Sequence, residues 1–182
     1  DLGANLTLVK NVITHGGAAQ VSDFPLFVDN QLVNSGVENS FTVGAHTVSE
    51  FSDPDYTQTI SGDCDSQGNV TLVANTPKFC IITNEEMPAY ITVQKVLNNN
   101  GGNSTTSSFA PYTVDSTQVT LGAANQFNSG THQVAEITAP NYTTTFSGGC
   151  DSTGQVILNS GDSKTCTITN TCNSSNPADC DI

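Results

Sequence analysis

Short runs of alternating apolar and polar residues recur along the whole chain. Leu6-Thr7-Leu8-Val9-Lys10 and Ile91-Thr92-Val93-Gln94-Lys95 are two of them, and Phe79-Cys80-Ile81-Ile82-Thr83-Asn84 and Thr165-Cys166-Thr167-Ile168-Thr169-Asn170 are two more. Side chains on a strand alternate between faces. Leu6, Leu8 and Lys10 therefore point one way, as do Ile91, Val93 and Lys95. Cys80, Ile82 and Asn84 share a face, and so do Cys166, Ile168 and Asn170. Cys and Ile are among the residue types most often buried, so these faces are predicted to look into a core. Runs of Val, Ile, Thr, Phe and Tyr are punctuated by Gly, Asn, Asp and Pro at sandwich-like spacing. No helix longer than a turn or two is expected. The pattern predicts an all-β chain.

The runs also repeat in order. Leu6–Lys10 matches Ile91–Lys95, and Gly16-Gly17 matches Gly101-Gly102. Asp23-Phe24 aligns with Ser108-Phe109 and, after a one-residue insertion, Val28-Asp29 aligns with Val114-Asp115. His46-Thr47-Val48-Ser49-Glu50 matches His132-Gln133-Val134-Ala135-Glu136, and Pro54-Asp55-Tyr56 matches Pro140-Asn141-Tyr142. A repeat this long makes two domains rather than a solenoid. The expected division is 1–86, 87–171 and a tail at 172–182. The link Glu85-Glu86-Met87-Pro88-Ala89 is short and carries a proline, which predicts a stiff rod. Asp1–Asn5 precedes the first repeat, either as a lead-in or as an exposed strand that pairs with a neighbouring subunit. Asp65-Ser66-Gln67-Gly68 and Asp151-Ser152-Thr153-Gly154 read as tight turns.

Charge narrows the partners. Four lysines stand against 17 Asp and Glu in 182 residues, a formal net charge of −13. Such a surface repels phosphate, which argues against nucleic acid and anionic membrane. No run of 18 apolar residues occurs, so no spanning helix is expected. With no initiator Met and no leader pattern at Asp1, the chain reads as mature and secreted.

Six cysteines, an even number, point to disulfides and an oxidising location. Cys64/Cys80 and Cys150/Cys166 have the same separation, so pairing within each repeat is the simplest scheme. A loop of about 15 residues is worth about 3 kcal/mol in the entropy model. Cys172 and Cys180 are expected to close a small loop in the tail. These spacings are too wide for a zinc knuckle, and the three histidines are scattered, so no metal site is expected. Asn5, Asn69, Asn103, Asn141 and Asn173 head glycosylation sequons, either glycosylated or plain loop asparagines.

One constellation carries chemistry. Each repeat places a Lys, a Glu and an Asn on inward faces: Lys10, Glu50 and Asn84, then Lys95, Glu136 and Asn170. One reading is a buried ion pair hydrogen-bonded to Asn, although burying two ions is costly. The other is an intramolecular isopeptide bond. Desolvation favours the neutral Lys amine, which is then a nucleophile. A protonated Glu would donate a hydrogen bond to the Asn carbonyl and shuttle the proton. Attack on the amide expels ammonia and ties the first strand to the last.

Other chemistry finds less support. Asp63-x-Asp65-x-Gln67-Gly68 begins like a calcium loop, but its twelfth position is Ala74 and the second copy has Gly149 at its start, so a turn is the better reading. His46 and His132 alternate with core residues and read as satisfied core histidines. No Ser, His and Asp recur in an order that implies hydrolysis, and no phosphate-binding glycine loop follows a strand. No cofactor is expected.

The order L-T-x-x-K, then V-x-E followed by Pro-x-Tyr, then x-I-T-N, resembles the collagen-adhesin B-type, or SpaA-like, prealbumin-fold domains of bacterial surface proteins and pilins. The Gly-Gly after the first strand and the Cys before the closing Thr-Asn look like tandem prealbumin-like modules of large surface proteins. The resemblance covers nearly all of both repeats, but not Asp1–Asn5 or the tail. It implies two tandem Ig-like (prealbumin-like) β-sandwiches. It also implies isopeptides from Lys10 to Asn84 and from Lys95 to Asn170, with Glu50 and Glu136 as autocatalytic residues. Three departures stand out. Disulfides offer an alternative to the isopeptide, His46 and His132 lie where many relatives have Tyr, and the sortase signal and pilin-linking Lys motif do not occur in this segment. The function expected is a structural subunit of an extracellular surface fibre, not an enzyme, with copies of itself or other fibre subunits as partners. The alternative is an adhesin module that recognises host protein or glycan. A secreted enzyme ranks third and would need a perturbed acid–base pair in a solvent-filled cleft.

Overall fold

The computed structural model describes residues 3–182. The chain divides into two compact units, Asp1–Met87 and Pro88–Ile182. In the first, β1 (Gly3–Ile13), β4 (Glu38–Thr42), β6 (Tyr56–Gly62) and β8 (Lys78–Glu86) form one sheet in the order β4-β1-β8-β6. The other sheet, β3-β2-β5-β7, contains β2 (Leu26–Val28), β3 (Gln31–Val33), β5 (Gly44–Glu50) and β7 (Asn69–Leu72). The second unit repeats this plan. Its sheet β12-β9-β16-β14 comprises β9 (Ala89–Asn98), β12 (Ala124–Phe127), β14 (Tyr142–Gly148) and β16 (Ser163–Cys172). Its sheet β11-β10-β13-β15 comprises β10 (Thr113–Val114), β11 (Thr117–Gln118), β13 (Gly130–Ala135) and β15 (Gln155–Leu158). The chain is thus all-β, two tandem prealbumin-like β-sandwiches, and its helical elements among the described residues are three single 3₁₀ turns.

Among the described residues every strand pairing is antiparallel except one in each unit. The first strand lies parallel to the last, β1 beside β8 and β9 beside β16. In the first pair Leu8 is level with Cys80, Lys10 with Ile82 and Val12 with Asn84. In the second, Val93 is level with Cys166, Lys95 with Ile168 and Leu97 with Asn170. Each Lys therefore sits one diagonal step from its Asn on the neighbouring strand.

Period-two alternation fills the cores. Leu6, Leu8, Leu26, Val28, Val48, Leu72, Cys80 and Ile82 are buried together in the first unit. Ile91, Val93, Phe109, Val114, Val134, Leu158, Cys166 and Ile168 are buried together in the second. Two-residue turns close the β2–β3 and β10–β11 hairpins. Asp29 and Asn30 take φ of 48° and 68°, and Asp115 and Ser116 take 50° and 68°. These are the positive values that a type I′ turn requires, and Asp and Asn tolerate them best after Gly. In the turns at Asp65 and Asp151 the aspartate side chain caps its own loop. Asp65 Oδ1 accepts from the N–H of Gln67 and of Asn69, and Asp151 Oδ1 accepts from Thr153 and Gln155. Gly68 and Gly154 finish these turns at φ +85°, where a Cβ would run into the carbonyls of Val48 and Val134.

Two expectations change. Gly3–Asn5 is not a lead-in, because it belongs to β1 and pairs antiparallel with Ser40–Thr42. Asp1 and Leu2 lie outside the described residues. The expected link at Glu85–Ala89 is shorter, since Glu85 and Glu86 extend β8 and Ala89 opens β9, which leaves Met87 and Pro88. Alternation does not end at Asn84: Glu86 is buried on the same face, 3% exposed, which keeps the strand in register for one more turn of the pleat.

Candidate functional site

Each unit holds a Lys–Glu pair in its core. Lys10 on β1 and Glu50 on β5 come from opposite sheets and meet with Nζ 2.5 Å from Oε2, both side chains fully shielded from solvent. Lys95 on β9 and Glu136, just beyond β13, meet at the same 2.5 Å with side chains 1% and 2% exposed. Burial pushes both lysines below the ordinary amine range, and the hydrogen bond and charge of the partner Glu only partly oppose that. Each ammonium also lies against aromatic faces. Lys10 Nζ is 4.7 Å from the Phe24 centroid, and Lys95 Nζ is 4.3 Å from Phe109 and 5.9 Å from Tyr112. Such faces attract a cation while excluding water. Burial, and then the charge of Glu136, push the Tyr112 hydroxyl up to about 12; it stays a donor, to the carbonyl of Thr106.

The asparagines complete the sites. Asn84 is 1% exposed and Asn170 is fully buried. Asn84 Oδ1, and both amide atoms of Asn170, have no hydrogen-bond partner. Buried amides without partners are rare and costly. In native proteins they call for a functional explanation.

Besides Tyr112, the two sites differ in the support of the carboxylate. In the second unit the Lys95–Glu136 contact is a directed hydrogen bond, and Thr144 Oγ1 donates to Glu136 Oε1 at 3.5 Å. In the first unit the ions are as close, but Glu50 Oε1 has no hydrogen-bond partner. The residue that matches Thr144 is Gln58. Each stands directly opposite the site Asn on the neighbouring strand, but Gln58 is exposed and Thr144 is half-buried.

Three disulfides close the fold: Cys64–Cys80, Cys150–Cys166 and Cys172–Cys180. The first two pin the turn after β6 or β14 to the last strand. The third folds the tail back onto the second unit, where the carbonyl of Cys180 accepts from Ser104 Oγ and from the Tyr142 hydroxyl.

His46 and His132 are both 8% exposed. Nδ1 of His46 lies 2.5 Å from Asp29 Oδ2 and Nε2 lies 2.8 Å from the Thr42 carbonyl. His132 repeats this with Asp115 and Asn128 at 2.6 and 2.8 Å. Each ring ties the I′ turn to the connection between the two sheets, β4 to β5 or β12 to β13. The amide nitrogen of every sequon asparagine donates within the fold: Asn5 to Glu38, Asn69 to Asp65, Asn103 to Asp181, Asn141 to the Asp179 carbonyl and Asn173 to Thr143.

Sequence reasoning missed Phe24 and Phe109 as walls of the two sites, although their alignment between the repeats was a usable signal. It missed Thr144 and Glu86, whose counterparts in the other repeat, Gln58 and Cys172, are different residue types. Among the described residues no group of His, Cys, Asp and Glu is arranged to hold a metal ion.

No protein-family model matches the chain, and no curated protein matches it. In fold it is similar to the Bacillus anthracis TIE protein, with a TM-score of 0.54 at 14% identity, over 94% of this chain and 34% of that one. The chain thus spans about a third of the length of that protein. The major pilin protein of Streptococcus pyogenes matches at a TM-score of 0.33 and 13% identity, over 94% of this chain and 97% of the pilin.

Proposed function

We propose that this chain is a load-bearing structural subunit of an extracellular surface fibre, a pilus-like filament or a stalk. Its partners in this reading are copies of itself or other fibre subunits. The observation that carries the proposal is the parallel pairing of first and last strands in each unit. The start of β1 and the end of β8 lie at opposite ends of the pair, so tension along the strands loads their hydrogen bonds in shear, all at once. Three disulfides in 182 residues fit an oxidising, extracellular setting. In this reading Lys10 is joined to Asn84 and Lys95 to Asn170 by isopeptide bonds, with Glu50 and Glu136 moving the protons. That chemistry runs once per unit and turns over no external substrate. Intact mass of the reduced, deglycosylated chain tests it: one ammonia is missing per unit if the bonds form, and the full calculated mass rejects them.

A second reading, an adhesin module, draws on the first unit alone. Phe51 is 68% exposed and packs edge-on against Phe27, with centroids 5.1 Å apart. A groove of about 830 Å³ runs along Val21, Phe24, Leu32 and Val33. Binding to immobilised host glycans or matrix proteins that is lost in Phe51→Ala would favour this reading.

A further inference from the structure

We infer that Thr144 is a positioning residue for cross-linking in the second unit, and that this unit closes its Lys–Asn bond ahead of the first. The inference rests on the cross-link reading above and adds an order and a residue to it.

The balance of the step defines what Glu136 must do. The Nζ–Cγ bond forms between Lys95 and Asn170, and the Cγ–Nδ2 bond breaks. Two of the three ammonium protons of Lys95 pass to Nδ2, which leaves as ammonium. No oxidant or reductant is needed. Glu136 carries both protons, so its carboxylate must keep one oxygen on Nζ while staying within reach of the amide. A carboxylate that rotates freely loses that alignment for much of the time.

Thr144 limits the rotation. Its hydroxyl lies 3.5 Å from Oε1, the long end of hydrogen-bond distance, and Oε2 is the oxygen 2.5 Å from Lys95 Nζ. Thr144 is directly opposite Asn170 on the adjoining strand, so donor and amide are set by one strand register. In the first unit the same register position holds Gln58, whose side chain is exposed, and Glu50 Oε1 is without a hydrogen-bond partner. The two copies also differ where Tyr112 stands beside Lys95 and Leu26 holds the matching position, so exchanges at positions 144 and 58 within each unit supply the controls.

The test follows cross-link formation in the full chain during oxidative synthesis. Samples are quenched in acid at intervals and digested, and the Lys10–Asn84 and Lys95–Asn170 peptides are quantified by mass spectrometry. In the wild type the Lys95–Asn170 peptide is expected first. Thr144→Val is expected to slow it roughly fivefold, the worth of one hydrogen bond, with Lys10–Asn84 unchanged. Thr144→Ser restores the hydroxyl and is expected to restore the rate, which a packing role for the methyl group would not do. Gln58→Thr is expected to speed the first unit. Unchanged Lys95–Asn170 kinetics in Thr144→Val, or no recovery in Thr144→Ser, overturns the inference and leaves the cross-link reading intact. If neither peptide forms in the wild type, the cross-link reading itself fails and the inference falls with it.

Discussion

Gly17 donates its backbone N–H to Glu86 Oε2 at 3.0 Å, and the same oxygen accepts from the N–H of His15 at 2.5 Å. A Cβ on Gly17 would stand 2.9 Å from that oxygen. Gly102 holds the matching place in the second unit, where a Cβ would meet Cys180 at 2.6 Å. Glu86 itself matches Cys172, the partner of Cys180. The loop after the first strand is therefore held at the end of the last strand in both units, by a buried carboxylate in one and, in the other, through the tail that Cys172–Cys180 pins and that Ser104 bonds.

The anchors make separable predictions. Glu86→Ala leaves two N–H groups of the glycine loop without their acceptor, and is expected to destabilise the first unit by about 2 kcal/mol. Cys172→Ser with Cys180→Ser is expected to destabilise the second unit by about 2–3 kcal/mol, the entropy of a short closed loop. Denaturant unfolding followed by hydrogen exchange, which resolves the two units, should show each loss in its own unit. A Glu86→Ala loss spread equally over both would contradict the local anchor.

Much of the site was legible because a strand has period two. Placing Lys10, Glu50 and Asn84 inward needs only the parity of their neighbours Leu8, Val48 and Ile82, and the second copy tests each assignment. Parity does not say which strands are adjacent. That Lys10 comes one step from Asn84 depends on β1 pairing parallel to β8, a non-local choice. Repetition also hides what is not repeated. Glu86 and Thr144 differ from their counterparts Cys172 and Gln58, so comparing the copies passes over them. Gly3–Asn5 was unreadable for the same reason as the Lys10–Asn84 approach, since its pairing with β4 is a non-local choice.

Acid should weaken the fold in a defined window. Asp29, Asp63, Asp65, Asp115, Asp151 and Asp162 are all held below the ordinary carboxylate range. Backbone N–H donors lead at Asp29, Asp63 and Asp162, and the side chains of Asn69 and Thr153 lead at Asp65 and Asp151. At Asp115 burial opposes the charge, and the N–H of Gln133 together with His132 outweighs it. A depressed folded pKa contributes stability that is complete above the unfolded value, near 3.9, and lost as pH falls through the folded value. The melting temperature is expected to hold from pH 7 to about 5 and to drop below about 4. Asp29→Asn with Asp115→Asn should flatten the drop, and an unchanged acid limb would count against these bonds as its source.

The histidine ties should also be costly to cut. His46→Ala removes contacts to Asp29 and to the Thr42 carbonyl from a buried position, and His132→Ala does the same with Asp115 and Asn128. Each is expected to cost about 2–3 kcal/mol in its own unit by thermal unfolding, combining two hydrogen bonds with a small cavity. A cost below about 0.5 kcal/mol would place these rings among ordinary surface residues.

Mechanical extension separates the covalent ties. If Lys10 is bonded to Asn84, force applied at the two ends of the first unit bypasses everything between them, and pulling releases only the few residues outside the bond. Lys10→Ala removes that tie and leaves Cys64–Cys80, which still shields a loop of sequence separation 16. Reduction of Lys10→Ala then frees this loop, worth about 50 Å of added contour at the reach of an extended chain. Three lengths are therefore expected for the first unit: almost none in the wild type, a long step in Lys10→Ala, and a step about 50 Å longer in Lys10→Ala after reduction. A wild-type unit that extends as far as oxidised Lys10→Ala has no bond between its terminal strands, and β1 and β8 are then held by hydrogen bonds in shear alone.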